Sequence, residues 1–544
     1  MSENLKHQHL GEIEGKPVDG AVQFLGLKYA SLKDRLAAPK LVDSYGSGTT
    51  DATKFGPPPV SPVGAIEREF GFIQHSLPLP EVPTHSDLDC LNLNITVPTN
   101  KDGAIDSNAK LPVFVFIHGG GFAVGSSWYP HYDPAPIVKM SVERKKPIIG
   151  ITINYRLGFT GFATSEELRK AGYKANNGFH DQRTALQWIR KFIGGFGGDA
   201  DEITVCGESA GGLSATVLLC SEEPLMKRCL STGGAVLLFK PIPDFVAESS
   251  YQKAVEAFGL TDKSPEDRIK ALLNIPLDDI WQKVPPTAPM LPSVDKDTMP
   301  GSPDFLTVSS QEDNPAFMMP GRKWCKAFMI GESKLDANII AYLGLDARKP
   351  GVAQKFIDSC NATLSAKPEV AEQLLKSYKI TPETPDEEAM LSILRFGSEI
   401  SFYAPARAFA QGWPNTPDSK FFLYHFNEGI PWEGRFKGEA GHILDVSYLF
   451  QNYNEHLDDA QQKVAREYGE DFIKFVNGED PWPPVKTDKL CAKVYGPSAD
   501  GVTSRWVPDG DPAKIGRDER VLKLGETAGF DAIMEVFQNF FQGK

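Results

Sequence analysis

A chain of 544 residues with 57 Lys and Arg against 71 Asp and Glu carries a net charge of −14, which argues against a nucleic-acid partner, because such binding needs a basic face. Hydrophobic residues make up 41% of the chain, Phe alone contributing 33. That suits a large buried interior, while no run of 18 apolar residues announces a transmembrane helix.

No repeat, low-complexity tract or Pro-rich hinge divides the chain, so a single domain over residues 1–544 is expected. The N-terminal MSENLKHQHLGEIEGK lacks the apolar core of a secretory signal, and Phe541-Gln542-Gly543-Lys544 is neither a peroxisomal nor an endoplasmic-reticulum address. Seven cysteines without a C-x-x-C pair suit a reducing compartment. A cytoplasmic location is the expectation. Asn361-Ala362-Thr363 then matches a glycosylation sequon by pattern only.

The first hundred residues read as short strands and turns, ending in a strand over residues 92–97. Residues 111–117 (LPVFVFI) form a continuous apolar run, as in a strand buried on both faces. It empties into His118-Gly119-Gly120-Gly121-Phe122. Glycines after such a strand let backbone N–H groups face a carbonyl oxygen with no side chain between them. A phosphate-binding reading fails, since Val124 stands where Gly-x-Gly-x-x-Gly needs its third glycine and no Walker lysine follows.

Residues 148–155 (IIGITINY) give the next strand. A helix follows over residues 181–193, where Ala185, Trp188, Ile189 and Phe192 make one stripe before Gly194-Gly195 stops it. The strand-like residues 203–206 lead into Gly207-Glu208-Ser209-Ala210-Gly211, and Leu213, Val217 and Leu218 continue at helical spacing. Strand, Gly-x-Ser-x-Gly and helix together describe the nucleophile elbow of an α/β-hydrolase, with Ser209 as nucleophile. Gly120, Gly121 and Ala210 are the expected oxyanion donors. Strands alternating with helices imply an α/β fold with a mostly parallel central sheet flanked by helices.

Residues of about 240–395 read as more helical and polar, a helical insertion expected to cover the mouth of the site. One helix there presents Ala371, Leu374, Leu375 and Tyr378, with Pro368 near its start. A short strand over residues 327–331 interrupts the region; residues 421–426 (FFLYHF) give another strand and residues 464–476 a helix.

A serine hydroxyl needs a neutral imidazole to take its proton, and in this fold the acid and then the histidine follow the nucleophile. Three histidines lie downstream. His425 falls within an apolar strand and His456 within a polar segment, whereas His442 follows the small-residue loop Gly438-Glu439-Ala440-Gly441. His442 is the preferred base. Glu332 and Asp336, both just past the strand at 327–331, are candidates for the acid, and position alone leaves both open.

Taken together these segments resemble the type-B carboxylesterases, the family that includes cholinesterases and many fungal esterases and lipases. The resemblance rests on Phe24-Leu25-Gly26-Leu27-Lys28-Tyr29-Ala30, Asp89-Cys90-Leu91-Asn92-Leu93-Asn94, His118 to Phe122, Asn154-Tyr155-Arg156-Leu157-Gly158, Asp181-Gln182-Arg183, Phe196-Gly197-Gly198-Asp199, Gly207 to Gly212, and Gly441-His442 with Asp445 and Phe450. It implies a Ser209–Asp336–His442 triad acting on a small-molecule ester through an acyl-enzyme, with no metal or cofactor. Many family members carry Glu-Gly where this chain has Asp336-Ala337, so the shorter carboxylate must reach further and Glu332 stays a minor alternative. No cysteine precedes Cys90 to close the usual family disulfide, and the loop of residues 55–89 holds no tryptophan, which makes a choline-ester specialist unlike this chain. The family likeness of Glu208 implies either added negative potential at the imidazolium or a structural hydrogen bond. Two rivals share these motifs, an acyltransferase using the same acyl-enzyme and a non-catalytic interaction protein. Trp128, Phe122, Phe426 and Trp432 are candidates for the substrate pocket or for core packing.

Overall fold

The computed structural model describes residues 3–414, 416–486 and 489–544. Its centre is a 13-stranded sheet built from β1 (Glu3–His7), β2 (Gly11–Val18), β3 (Ala21–Lys28), β4 (Thr50–Ala52), β5 (Asn92–Pro98), β6 (Leu111–Ile117), β7 (Ile149–Ile153), β8 (Gly198–Glu208), β9 (Arg228–Thr232), β10 (Ala327–Ser333), β11 (Lys420–Phe426), β12 (Ala492–Tyr495) and β13 (Ser504–Val507). The spatial order is β1-β2-β3-β5-β7-β6-β8-β9-β10-β11-β12-β13, with β4 on β2. From β7 to β12 every neighbouring pair is parallel. Both margins turn antiparallel, through β5 on one side and β13 on the other. Helices cover the parallel strands, which is why β9, β10 and most of β6 and β11 are buried on both faces.

Several elements match the sequence-based expectation, and the differences have local causes. The strand expected over 148–155 stops at Ile153 because the next residues leave the sheet to hold loops. Asn154 Oδ1 accepts from Ser126 Oγ and Ser127 N, both at 2.9 Å, and its Nδ2 donates to Asn92 Oδ1 at 3.1 Å. The helix expected from residue 181 begins at Asn177, entered from Asn176 at φ 53°. Asn and Gly at its first positions hid that extra turn. The helix expected from 464 begins at Asp459, where Asp458 and Gln461 form a capping box.

The helical region divides into two groups on either side of β10. Helices Asp244–Ala257, Pro265–Leu272 and Leu277–Gln282 bury Tyr251, Leu260, Leu272 and Ile280 with Leu36, Val60 and Phe159 in a small separate cluster. Helices Val352–Thr363, Pro368–Ser377 and Asp386–Ser398 instead extend the main core through Phe356, Leu374 and Ile393. The C-terminal helix Phe530–Gln542, absent from the sequence-based expectation, seals that second group, with Phe537 edge-on to Phe396 and Phe540 edge-on to Phe356.

Candidate active site

The carboxyl end of β8 sets the candidate nucleophile. Ser209 follows the strand directly with φ 55° and ψ −119°, and helix Ala210–Leu218 starts at the next residue. A non-glycine residue at positive φ is strained, and surrounding bonds hold it there. Ser209 N donates to Thr232 O at 2.9 Å and Ser209 O accepts from Leu213 N at 2.9 Å. The two motif glycines are required by close approach, since a Cβ on Gly207 would strike Gly211 O and one on Gly211 would strike Ile117 O. Ser209 is 9% exposed, more than Glu208 or Ala210 beside it.

The loop after β6 approaches the elbow from the neighbouring strand. Gly120, Gly121 and Phe122 all have positive φ, and among the described residues the N–H groups of Gly120, Gly121 and Ala210 donate to no protein acceptor. Three unpaired donors beside one serine match the requirement for stabilising an oxyanion. Asn94 Nδ2 donates to Ser127 O and Gly158 N donates to Phe122 O at 2.7 Å. With the Asn154 bonds described above, these tie the loop to β5 and to the segment after β7.

β10 delivers the carboxylate and the segment after β11 delivers the imidazole. Leu335 and Gly441 pair in a parallel bridge, Leu335 N donates to Ala440 O at 2.8 Å, and His442 N donates to Asn338 Oδ1 at 2.8 Å. Asp336 Oδ1 then stands 2.8 Å from His442 Nδ1, while its Oδ2 accepts from Ser333 N at 2.7 Å. The short aspartate side chain therefore reaches the ring. Glu332 does not compete. It faces away, 2.6 Å from His425 Nδ1 and 2.8 Å from Arg517 Nη2, which makes His425 a paired core histidine. His456 is exposed and lies against His75, ring centroids 4.3 Å apart.

The other ring nitrogen, His442 Nε2, lies 3.2 Å from Oε1 of Glu208, the residue beside Ser209. That is ion-pair distance without hydrogen-bond geometry, and Glu208 Oε1 is buried with no hydrogen-bond partner. Among the described residues no hydrogen bond joins the Ser209 hydroxyl to the ring. Burial pushes Asp336 up to about 6, against the hydrogen bond from His442, and pushes Glu208 up to about 8. Burial alone would lower His442, but the hydrogen bond to Asp336 and the charges of Glu208, Asp336 and Asp445 outweigh it, and the net direction is upward. Asp445 is itself buried and held by Thr232 Oγ1 and Tyr424 OH. Phe402 sits edge-on to the imidazole at 5.7 Å, a contact that sequence position alone did not signal.

Of the aromatic candidates, Phe122 packs on Phe162 and Phe179, and Phe426 on Tyr448 and Tyr468. Both are fully buried core residues. Trp128 stacks edge-on to Tyr129, and Trp432 lies flat on His75 at 4.9 Å.

The chain matches the Carboxylesterase family over residues 2–500, and it belongs to that family. This makes it a carboxylic-ester hydrolase of the α/β-hydrolase fold. It is similar to Lipase 1 of Yarrowia lipolytica, 27% identical over 514 residues and covering 88% of each chain. It also resembles an inactive carboxylesterase-like protein of Byssochlamys spectabilis, 30% identical over 282 residues, 49% of this chain and 45% of the other. A solved carboxylesterase of Geobacillus stearothermophilus superposes with a TM-score of 0.70 at 24% identity, over 93% of this chain and 98% of that one, and supports the fold.

Proposed function

We propose that the chain hydrolyses small to medium lipophilic esters through a Ser209–His442–Asp336 triad and an acyl-enzyme. The observation that carries this reading is the buried Asp336–His442 pair at 2.8 Å, delivered to the residue beside a positive-φ serine. His442 takes the Ser209 proton as Oγ attacks the ester carbonyl. The developing oxyanion accepts from the N–H groups of Gly120, Gly121 and Ala210, each such donor contributing roughly 3 kcal/mol in comparable sites. His442 protonates the leaving alcohol, then activates the water that releases the acid. Asp336 holds the ring with Nδ1–H inward and stabilises the imidazolium. Cytoplasmic residence belongs to the same proposal, supported by the buried free thiol of Cys90, and so does a covering role for the helices of residues 240–395.

Turnover of p-nitrophenyl esters by the wild type and by Ser209→Ala tests the reading: the variant should lose nearly all activity, and normal turnover would end it. Water and an added alcohol compete for the same acyl-enzyme, so product analysis with acceptors present separates hydrolysis from acyl transfer. Two observations favour a non-catalytic alternative, namely a relative named inactive and a Ser209 hydroxyl without a bond to the imidazole. A fluorophosphonate probe that leaves Ser209 unlabelled would favour it over catalysis.

A further inference from the structure

The segment that carries the acid grips His442 twice. Asp336 meets the ring at Nδ1, and two residues further on Asn338 Oδ1 accepts from the His442 backbone N at 2.8 Å. Asn338 is fully buried at the start of the short helix Asn338–Ile340. That bond fixes the amide's orientation, because a backbone N–H can only donate and the oxygen must face it. Asn338 Nδ2 is then left buried without a partner, packed so that a Cβ on Gly441 would lie 2.6 Å from it. An unpaired buried amine is costly and offsets what the bond to His442 gains. The exchange brings little net stability; what it secures is the place of one backbone atom.

That atom borders a strained turn. Ile443, the next residue, is buried and has φ 68° and ψ −9°. A β-branched residue at positive φ is an outlier that persists only where its surroundings impose it. On the downstream side, Ser447 N and Ser447 Oγ both donate to Ile443 O at 3.0 Å. On the upstream side, Leu335 ties down Ala440 and Gly441. The Asn338 bond falls between these anchors, on His442 itself. Asn338 stands on firm ground: its N donates to Leu335 O at 3.0 Å, and Ala337 N donates at 3.0 Å to Ser398 Oγ on helix Asp386–Ser398.

We propose that Asn338 is a positioning residue for His442: its side-chain carbonyl holds the backbone against relaxation of the strained turn at Ile443, and so keeps the imidazole within reach of Asp336. The inference rests on the Ser209–His442 reading. Without the grip the turn relaxes and the Asp336–His442 bond lengthens, while Asp336 keeps its own bond from Ser333 N. The imidazole is faced by Asp336, Glu208 and Asp445 and by the uncharged ring of Phe402. Burial lowers its pKa, and foremost among the influences that raise it is the hydrogen bond to Asp336. A longer bond therefore makes the ring harder to protonate.

The experiment compares kcat, KM and the pH dependence of kcat/KM for p-nitrophenyl acetate among the wild type, Asn338→Leu, Ile443→Gly and the double variant. Rates are taken per folded molecule, with melting temperatures and fluorophosphonate labelling alongside. Asn338→Leu should lower kcat by about tenfold or more with KM held within about threefold, since a displaced base acts on the chemical step. Its acid limb should move to lower pH by about half a unit or more. Glycine takes a positive φ without strain, so in the Ile443→Gly background the same substitution should cost a clearly smaller factor. A lower melting temperature with kcat and the limb unchanged shows a merely structural role. A rise in KM alone places Asn338 at the substrate, and an equal loss in both backgrounds separates it from the turn; each of these overturns the proposal. Should Asn338→Leu fail to fold, Asn338→Ser, whose hydroxyl is one bond shorter and falls short of His442 N, carries the same expectations. An unlabelled Ser209 in the wild type would instead refute the catalytic reading beneath it.

Discussion

Asp336, with its short side chain, bonds His442 Nδ1 at 2.8 Å, because Leu335 pairs with Gly441 and draws the two loops together. Replacing it by Asn keeps the shape and permits the wrong imidazole tautomer. Asp336→Asn should lower kcat by about 10^4-fold, the loss known for the equivalent change in a serine protease triad, with little change in melting temperature. Steady-state kinetics beside a thermal melt checks this. The upward push on His442 has a definite sign for activity. A protonated imidazole cannot accept the serine proton, so raising its pKa moves the acid limb of kcat/KM above the 6.5 of a free histidine, and activity falls as pH drops through it. A profile flat from pH 8 to pH 5 would contradict this. Protonation of Asp336, displaced upward to about 6 by burial, steepens the acid side.

At the scale of elements, the sheet places three loops from β6, β8 and β10, together with the segment after β11, at one edge. The crossing of β6, β8 and helix Ala210–Leu218 leaves no room at Gly211, where a Cβ would strike Ile117 O. Gly211→Ala should displace the elbow, cost about 1–3 kcal/mol and sharply reduce fluorophosphonate labelling per folded molecule. Labelling at the wild-type rate would show that the elbow geometry is not what activates Ser209. Much of this was legible in the sequence. The β6 strand, the glycine loop, the elbow and His442 each announce themselves by residue type and spacing, since backbone geometry there tolerates few alternatives. The choice between Asp336 and Glu332 was not legible from position, because both follow the strand expected over 327–331, whereas β10 runs on to Ser333 and takes in Glu332, whose side chain goes to Arg517 from far along the chain. Phe402 was likewise silent, since it owes its place beside the imidazole to long-range packing rather than to a local pattern.

For the whole molecule, two of the segments that carry the family likeness act as anchors. Arg156 and Asp181 are fully buried and joined in a fork, Nη2 to Oδ1 at 2.7 Å and Nε to Oδ2 at 2.8 Å, with Arg156 Nη1 also donating to Arg35 O and Ala37 O. The pair ties helix Asn177–Phe192 to the N-terminal segment and to the chain after β7. Removing one partner strands a buried charge, so Asp181→Asn should destabilise the fold by about 3–5 kcal/mol, read as a lower denaturant midpoint, while the surviving folded fraction keeps its turnover. A midpoint within error of the wild type would contradict that. Among the described residues no helix is long and apolar enough to cross a membrane. The central claim is that one serine on one strained turn performs the chemistry. Intact-mass and peptide mapping after fluorophosphonate treatment tests it most directly. The account predicts a single adduct per chain, located on Ser209, appearing in step with loss of esterase activity and absent from Ser209→Ala; an adduct elsewhere, or full esterase activity in a chain with Ser209 blocked, would contradict it.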